Sequence, residues 1–389
     1  MAEELSYVLV TPYSIRKSRT GGIISRLISR TGLDLIRARM FAPSRELVET
    51  YASTLVTDGD PRHQAVQELI RNFVRQNFLP NAADAKPRVL LLVFSGENAV
   101  AKLRSAVGSI APGRPSGENI RDTYGDYITD TEGNVVYFEP AVLCPPDPVA
   151  AERNLKLWAR YSDADGGVLD GVVAHPEGAN VERTLVLIKP DNFRFPNARP
   201  GGVIDVFSRA GLTIVGAKVH FMSVAQACEF YGPVLDVLKN IFRDRTGPVA
   251  RLAIEQELGI MLNDEVQRQL GDILGPINGE QNWESIVQFM SGCKPRECPP
   301  EKRDQPGSEK CIALVYEGID AVRKIREVLG PTDPSKAPPG SIRREFGQTI
   351  MVNAAHASDS AENARREFKI VKIDENNLKP FVESFYGSL

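Results

Sequence analysis

The chain contains a long internal repeat, and this repeat constrains its fold more than any other feature. One segment begins at Ser6 and reads SYVLVTPYSIRKSRTGGIISRLISRTGLDLIRARMF. Its counterpart begins at Arg183 and reads RTLVLIKPDNFRFPNARPGGVIDVFSRAGLTIVGAKVHF. Both predict an apolar strand, a proline, a basic loop, a Gly-Gly pair, an amphipathic helix and a second strand. A repeat of this length indicates a duplicated domain rather than a solenoid unit.

A second pair of similar segments lies downstream of the first pair. The segment from Arg88 reads RVLLLVFSGENAVAKLRSAVGSIAPGRPSGENIRDTYGDYI, and that from Lys310 reads KCIALVYEGIDAVRKIREVLGPTDPSKAPPGSIRREFGQTI. Each half therefore predicts a βαββαβ pattern, and we place the last strand of the second half at Glu367–Ile373, where hydrophobic residues alternate. The predicted fold class is α+β, with two tandem ferredoxin-like domains built from antiparallel sheets and helices.

The predicted domain organisation follows from the repeat. We assign residues 1–161 to a first domain and 182–389 to a second, joined by a Gly- and Asp-rich linker at 162–181. The second domain has two insertions without a counterpart in the first. The insertion near 236–282 has helical periodicity, and the one near 293–310 is typical of a surface loop.

Composition argues against several classes of protein. Lys and Arg total 47 against 50 for Asp and Glu, so the net charge of -3 gives no support for a nucleic-acid or membrane partner. The chain starts with acidic residues and lacks an apolar run of membrane-spanning length. Its five cysteines form no convincing zinc or redox motif, which favours reduced thiols. We therefore expect a cytoplasmic protein.

Several polar residues of the second half are expected to come together near its sheet. Two arginines and a lysine in one place would repel each other unless a polyanion lay among them, and a phosphate chain is the obvious candidate. The residues are Lys189, Arg326, Thr332, Arg343, Asn353, His356, Ser358 and Glu367.

His356 lies in the segment NAAHASDS. Considered alone, it fits an exposed histidine in a loop before a helix, since Ser358 and Ser360 are good N-cap residues. Beside a phosphate chain, however, a neutral imidazole nitrogen is a competent nucleophile. Glu367 and Ser358 could orient the ring and fix its tautomer, and phosphoryl transfer requires little beyond positioning and charge neutralisation.

Three segments of the second half resemble the motifs of nucleoside diphosphate kinases: RTLVLIKPD, GPTDPSKAPPGSIRREFG and NAAHASDSAENARREF. The resemblance covers nearly all of residues 182–374 apart from the two insertions. It implies a ping-pong reaction in which His356 takes the γ-phosphoryl group of a nucleoside triphosphate and passes it to a nucleoside diphosphate. It also implies Mg²⁺ that bridges the phosphate oxygens, with no metal site made by protein side chains alone.

The same resemblance implies roles for individual residues. Asn353 would contact the ribose together with the strand-end lysine, Tyr231 would pack near the histidine, and Trp283 would stack on the base. Glu367, helped by Ser358, would orient the histidine. The residues that would hold phosphates are Lys189, Arg326, Thr332 and Arg343.

Two departures from the family pattern leave an alternative open. Ala357 stands where the family has Gly after the histidine, which is harmless unless the position needs a positive φ angle. The insertion at 236–282 precedes Trp283 and could cover or repurpose the site. A catalytically weak or inactive nucleotide-binding or scaffolding protein on the same fold is therefore the second hypothesis.

The first half lacks the chemistry of the second. Thr11 stands where Lys189 does, while Arg104 and Arg121 correspond to the two phosphate-binding arginines. Matching GNVVYFEP with VNAAHASD places Asn134, Tyr137 and Glu139 opposite Asn353, His356 and Ser358. We predict a catalytically silent copy that supplies an interface.

Members of the family that the chain resembles assemble from dimers. A fused silent copy could therefore take the place of a partner subunit, so that the chain is a pseudo-dimer. We expect a homo-oligomer built from such chains, and a trimer, a dimer and a single chain all stay open.

Overall fold

The structure is a computed structural model that describes residues 3–57, 62–80, 86–110 and 116–389. Its first copy contains six strands and seven helices in these described ranges. They are β1 Glu4–Val10, α1 Pro12–Arg16, α2 Thr20–Thr31, β2 Asp34–Phe41, α3 Arg45–Ser53, α4 Gln64–Asn77, β3 Val89–Gly96, α5 Ala99–Val107, α6 Ile120–Tyr124, β4 Asp126–Thr129, β5 Val135–Glu139, β6 Val142–Leu143 and α7 Pro148–Tyr161.

The second copy carries the helical insertion and a C-terminal helix. Its elements are β7 Val181–Ile188, α8 Arg199–Phe207, β8 Thr213–Phe221, α9 Val224–Phe230, α10 Gly232–Leu258, α11 Asp264–Ser291, β9 Lys310–Ile319, α12 Ala321–Leu329, α13 Ile342–Phe346, β10 Ala355–Ala357, α14 Ala361–Ile370 and α15 Lys379–Tyr386.

Each copy forms a four-stranded sheet with the same strand order. The order is β2-β3-β1-β6 in the first copy and β10-β7-β9-β8 in the second. The pairings described in both sheets are antiparallel. Numbered within each copy, both orders are 4-1-3-2, which is the arrangement of a βαββαβ ferredoxin-like unit. The predicted fold class is confirmed.

The predicted last strand at Glu367–Ile373 is wrong. Ser360 caps helix α14 by accepting a hydrogen bond from Asn363 N at 3.0 Å, and the helix runs to Ile370. Ala364, Glu367 and Ile370 are buried at intervals of three residues, which is a helical spacing. Over so few residues, alternation of hydrophobic and polar residues does not distinguish this helical face from a strand. The last strand is β10, which contains His356.

The Gly-Gly pairs of the repeat meet each other in the structure. Helices α2 and α8 pack together so closely that a Cβ on Gly21 would lie 2.5 Å from Gly201 O, and one on Gly201 would lie 2.2 Å from Gly21 O. Ser25 Oγ also donates to Ala198 O at 2.9 Å. The two copies are therefore joined through equivalent helices in a reciprocal contact; the pseudo-dimer stays a prediction.

The segment after α7 also connects the two sheets. Gly167 N donates to Met40 O in β2, and Leu169 N donates to Val215 O in β8, both at 2.9 Å. Since β2 and β8 are edge strands of the two sheets, this segment hydrogen-bonds to both edges. The segment belongs to the predicted linker at 162–181, whose role as a domain boundary stays a prediction.

The C-terminal helix returns to the first copy. Leu378 and Val382 are fully buried in the hydrophobic core that surrounds Trp158 of α7. Arg37 Nε in β2 also donates to Asn377 O at 2.9 Å. The last residues of the chain thus complete the core of the first copy.

The chain divides into two compact units, one made of residues 1–219 and 312–389 and the other of residues 220–311. In the second unit, α10 and α11 pack closely because glycines spaced four residues apart face the opposite backbone. A Cβ on Gly275 would lie 2.5 Å from Arg243 Cα, and one on Gly279 would lie 2.7 Å from Lys239 Cα.

Within the described ranges, no helix is both long and apolar enough to cross a membrane.

Candidate active site

The site is organised where the strand β7 ends beside β10. His356 lies opposite Leu187 in the antiparallel register, and Lys189 N donates to Ala354 O at 2.9 Å. Backbone hydrogen bonds therefore hold the end of β7 beside the residues around His356.

His356 forms a triad with the two residues predicted to orient it. Its Nε2 lies 3.1 Å from both carboxylate oxygens of Glu367, and Ser358 Oγ donates to Glu367 Oε2 at 2.6 Å. Ser358 and Glu367 are buried, whereas the imidazole is partly exposed. If Nε2 carries the proton toward the carboxylate, the lone pair of the neutral ring lies on Nδ1.

Lys189 and Asn353 form a second cluster beside the triad. Lys189 Nζ donates to Asn353 Oδ1 at 2.9 Å and to Met351 O. Asn353 Nδ2 donates in turn to Thr332 O at 3.2 Å, which brings the proline-rich loop to the same place. The pKa of Lys189 is lowered to about 8, chiefly by burial; the carboxylate of Asp191 opposes this shift and the positive charge of Arg343 adds to it.

Arg343 lies next to the histidine strand. Its Nη1 donates to Gly330 O at 3.0 Å and its Nη2 donates to Ala355 O at 3.3 Å. Arg326 is exposed near the end of α12 and lines a cavity of about 560 Å³ that it shares with Asp359. Its positive charge contributes to lowering the pKa of Asp359, after the hydrogen bond from Asn363.

Two further residues, not predicted from the sequence, shape the turn before His356. Asp191 Oδ2 accepts a hydrogen bond from Ala354 N at 3.2 Å, and Asn192 Nδ2 donates to Ala354 O at 2.8 Å. Both side chains are buried directly after Lys189. The signal was present in IKPDN, because Asp and Asn after a strand end commonly bond to nearby backbone.

The backbone strain near His356 lies at Ala354 rather than at Ala357. Ala354 has a φ of 70°, in the left-handed region. Ala357 lies in strand β10 and is absent from the described non-glycine residues with positive φ. The alanine after His356 therefore adds no left-handed strain where the family has glycine.

Tyr231 and Trp283 lie in the unit of residues 220–311. Within that unit, Trp283 Nε1 donates to Tyr231 O at 2.9 Å, and the Tyr231 ring packs on that of Phe230 with centroids 5.0 Å apart. Their predicted contacts with the base and the histidine stay predictions.

The structure corrects the predicted counterpart of His356 in the first copy. Thr11 N donates to Ala141 O at 3.1 Å, as Lys189 N does to Ala354 O, and both alanines have positive φ. Two residues after each alanine, the strand register pairs Leu143 with Leu9 and His356 with Leu187. The residue that replaces the histidine is therefore Leu143.

The predicted counterparts of Asn353, His356 and Ser358 belong instead to the β4–β5 hairpin or its turn. These residues are Asn134, Tyr137 and Glu139. Tyr137 is 43% exposed there. The predicted alignment is wrong because β5 of this hairpin comes shortly before β6, the true counterpart of β10. The short strands β5 and β6 have similar hydrophobic patterns.

Helix caps give the counterparts of the two orienting residues. Asp147 caps α7 as Ser360 caps α14, each through the backbone N–H three residues later. Counting from these caps, Pro145 replaces Ser358 and Asn154 replaces Glu367. The first copy thus lacks counterparts of the imidazole of His356 and of the two groups that contact one another beside it, the Ser358 hydroxyl and the Glu367 carboxylate.

Comparison with known proteins gives consistent matches. The family model described as nucleoside diphosphate kinase matches residues 4–158 and 280–376, more than half of the chain. The nucleoside diphosphate kinase of Staphylothermus marinus is 30% identical over 196 residues, which are 50% of this chain and 96% of that protein. Nucleoside diphosphate kinase 2 of Protochlamydia amoebophila is 31% identical over 189 residues, 49% of this chain and 90% of that protein.

A solved structure is also similar in sequence. A crystal form of the Aquifex aeolicus nucleoside diphosphate kinase is 26% identical, covers 51% of this chain and 98% of its own, and has a TM-score of 0.31.

Proposed function

Because the chain belongs to the nucleoside diphosphate kinase family, we propose that its second copy transfers the γ-phosphoryl group of a nucleoside triphosphate to a nucleoside diphosphate through phosphohistidine at His356. The observation that carries this proposal is the contact of His356 Nε2 with Glu367, at 3.1 Å from both carboxylate oxygens, supported by Ser358. A buried carboxylate that accepts the Nε2 proton directs the lone pair of the neutral ring to Nδ1.

The first half-reaction forms a bond between Nδ1 of His356 and the γ-phosphorus. The bond from that phosphorus to the bridging oxygen breaks, and the nucleoside diphosphate leaves with the electron pair. In the second half-reaction, a terminal oxygen of an acceptor diphosphate attacks the phosphorus and the N–P bond breaks. The carboxylate of Glu367 offsets the positive charge that develops on the ring while the N–P bond exists.

The phosphate chain requires neutralisation, which we assign to the basic residues of the site. Lys189 is held by a hydrogen bond to Asn353 and Arg343 by one to Ala355, so these side chains would lose little further freedom when a phosphate binds them. Arg326 and Thr332 would hold the outer phosphates, Asn353 the ribose, Trp283 the base, and Tyr231 would pack near the histidine.

We propose that Mg²⁺ arrives with the nucleotide and is held mainly by phosphate oxygens. The site fits this arrangement because its polar groups are mostly cations, amides and hydroxyls, so phosphate oxygens would be the main ligands of a divalent ion there. When bound, the ion neutralises charge on the phosphate oxygens.

We further propose a cytoplasmic homo-oligomer of pseudo-dimeric chains that uses neither membrane nor nucleic acid as a partner.

The test is a phosphoenzyme assay with γ-³²P-labelled ATP and magnesium. We expect acid-labile, alkali-stable label on the protein that moves to added GDP, and no label on His356→Ala. The matched control is His175→Ala, because His175 Nε2 also lies 3.1 Å from a carboxylate, that of Glu317. Label that survives in His356→Ala, or that disappears in His175→Ala, would contradict the assignment. Folded wild-type protein that binds nucleotide without becoming labelled would favour the inactive nucleotide-binding alternative.

A further inference from the structure

The first copy has a basic cavity that its lost chemistry does not explain. The cavity has a volume of about 630 Å³, within the range of small-molecule binding sites. Among the described residues that line it are three arginines and a histidine, and those residues include no carboxylate. The charged or titratable lining residues are Arg62, His63, Arg104, Arg121 and Cys144.

Arg121 is held in this cavity in the same way that Arg343 is held in the second copy. Its Nη1 donates to Gly108 O and its Nη2 donates to Val142 O at 3.2 Å. The corresponding acceptors of Arg343 are Gly330 O and Ala355 O. The first copy has therefore lost its histidine while keeping the backbone cradle of one phosphate-binding arginine.

One donor of the Arg121 guanidinium is not used by the described residues of the protein. Its Nε is buried and has no hydrogen-bond partner in the part of the chain that the structure describes. The pKa of Arg121 is lowered to about 10, chiefly by burial; its interaction with Cys144 opposes this shift, and the charges of Arg62 and Arg104 add to it. Such a grouping of cations is destabilising unless an anion binds there.

The second arginine is positioned to contact the same anion. Arg104 is exposed, lines the cavity and donates one hydrogen bond from Nη1 to Pro146 O at 2.7 Å. A guanidinium has five N–H donors, so most of its donors are not used by this bond. Val66, Ile110, Pro145 and Pro146 give the cavity an apolar wall as well.

From these observations, we propose that the first copy binds the phosphate chain of a nucleoside di- or triphosphate in this cavity and does not transfer it. Leu143, Pro145 and Asn154 stand where the nucleophile and its orienting groups would be, so the bound ligand meets no acceptor for a phosphoryl group. The chain would then hold one nucleotide that turns over in the second copy and one that acts as a bound effector in the first. This inference does not depend on transfer at His356.

The test is isothermal titration calorimetry of the full chain with ADP, in the absence of any triphosphate donor. We expect two ADP molecules per chain for the wild type. Arg104→Glu and Ser105→Glu should each weaken one of the two sites by about tenfold or more, because a carboxylate then faces the phosphates. Ser105 is an exposed residue of the cavity lining, so this variant tests the site without removing an arginine.

Lys102→Glu is the matched control, since Lys102 lies exposed on the same helix α5 and outside the lining residues. It should keep both sites. A repeat titration with inorganic triphosphate distinguishes recognition of phosphate alone, which gives equal binding, from recognition of a nucleotide, which gives tighter binding of ADP. A single ADP site per wild-type chain that is unchanged in Arg104→Glu and Ser105→Glu would overturn the proposal. Binding of inorganic triphosphate alone, without ADP, would overturn its assignment to nucleotides.

Discussion

The two copies share a sheet order and differ in what their equivalent positions carry. Where the second copy has Lys189, His356 and Glu367, the first has Thr11, Leu143 and Asn154. Two arginines are kept: Arg104 corresponds to Arg326, and Arg121 corresponds to Arg343. On the proposed functions, a copy of the fold loses its nucleophile and retains a place for an anion, because the two functions depend on different residues. The strand register and helix caps that position His356 and Leu143 are the same in both copies.

The largest expected effect comes from making the second copy like the first at its nucleophile. His356→Leu should lower phosphoryl transfer at least about a thousandfold, because the residue proposed to form the covalent intermediate is removed. Steady-state transfer from ATP to a diphosphate measures the loss. Leu143→His is the converse variant and should create no measurable activity, since Asn154 and Pro145 cannot orient the ring. Activity in Leu143→His combined with His356→Leu would contradict this account of the first copy.

Glu367→Gln gives the second copy the amide that Asn154 provides in the first. We expect transfer to fall about ten- to a hundredfold, because a charge-assisted hydrogen bond to the ring is replaced by a weaker neutral one. The rate of phosphoenzyme formation, measured by rapid quench, should carry the loss, with nucleotide binding nearly unchanged. An equal loss in affinity would instead point to a structural defect. Ser358→Ala, which removes the hydroxyl donor to the same carboxylate, should cause a smaller loss.

The pH dependence of the second copy should follow Lys189. Burial lowers the pKa of this lysine to about 8, so its ammonium group predominates below that pH and is lost above it. Its attraction for phosphate should therefore weaken as pH rises, and kcat/KM should fall about tenfold per unit above about pH 8. In Lys189→Arg this fall in kcat/KM above about pH 8 should be much weaker, because a guanidinium stays charged. An unchanged fall in Lys189→Arg would show that another group causes it.

Gly201→Ala should destabilise the contact between the copies by about 1–3 kcal/mol. Its new methyl group would lie 2.2 Å from Gly21 O, a backbone atom that cannot move alone. Gly202→Ala is the matched control on the same helix, because its methyl group would meet the Phe346 side chain at 3.4 Å. Urea unfolding of both variants makes the comparison. Equal stability of the two variants would mean that the close helix contact is not required.

The smallest effect concerns the left-handed turns that precede the last strand in both copies. Ala354→Gly and Ala141→Gly should each change stability by about 1 kcal/mol or less, in the stabilising direction, since glycine relieves the strain of a positive φ and loses more chain entropy. Urea midpoints measured under identical conditions give the sign. A marked destabilisation by either variant would show that the alanine methyl group packs in the core.

Much of the fold was predictable because its signals are local. The strand–helix–strand pattern, the helical insertion and the strand end before Lys189 all follow from hydrophobic periodicity and turn residues. The segment around Glu367 was misread because alternation over seven residues fits a short helix face as well as a strand. The exposed β4–β5 hairpin likewise has a hydrophobic pattern similar to that of β6, the strand of the first copy that corresponds to the His356 strand.

The sequence by itself determined the duplication, the order of the site residues in the second copy and the absence of a histidine at any plausible position in the first. Only the tertiary structure decided that Leu143 replaces the histidine, that Glu367 approaches it from helix α14 and that Leu378 completes the core of the first copy. It also decided that arginines from separate elements line one cavity. The physical reason is that periodicity reports interactions within a few residues, whereas strand register, helix docking and cavities arise from contacts between segments that are distant in the chain.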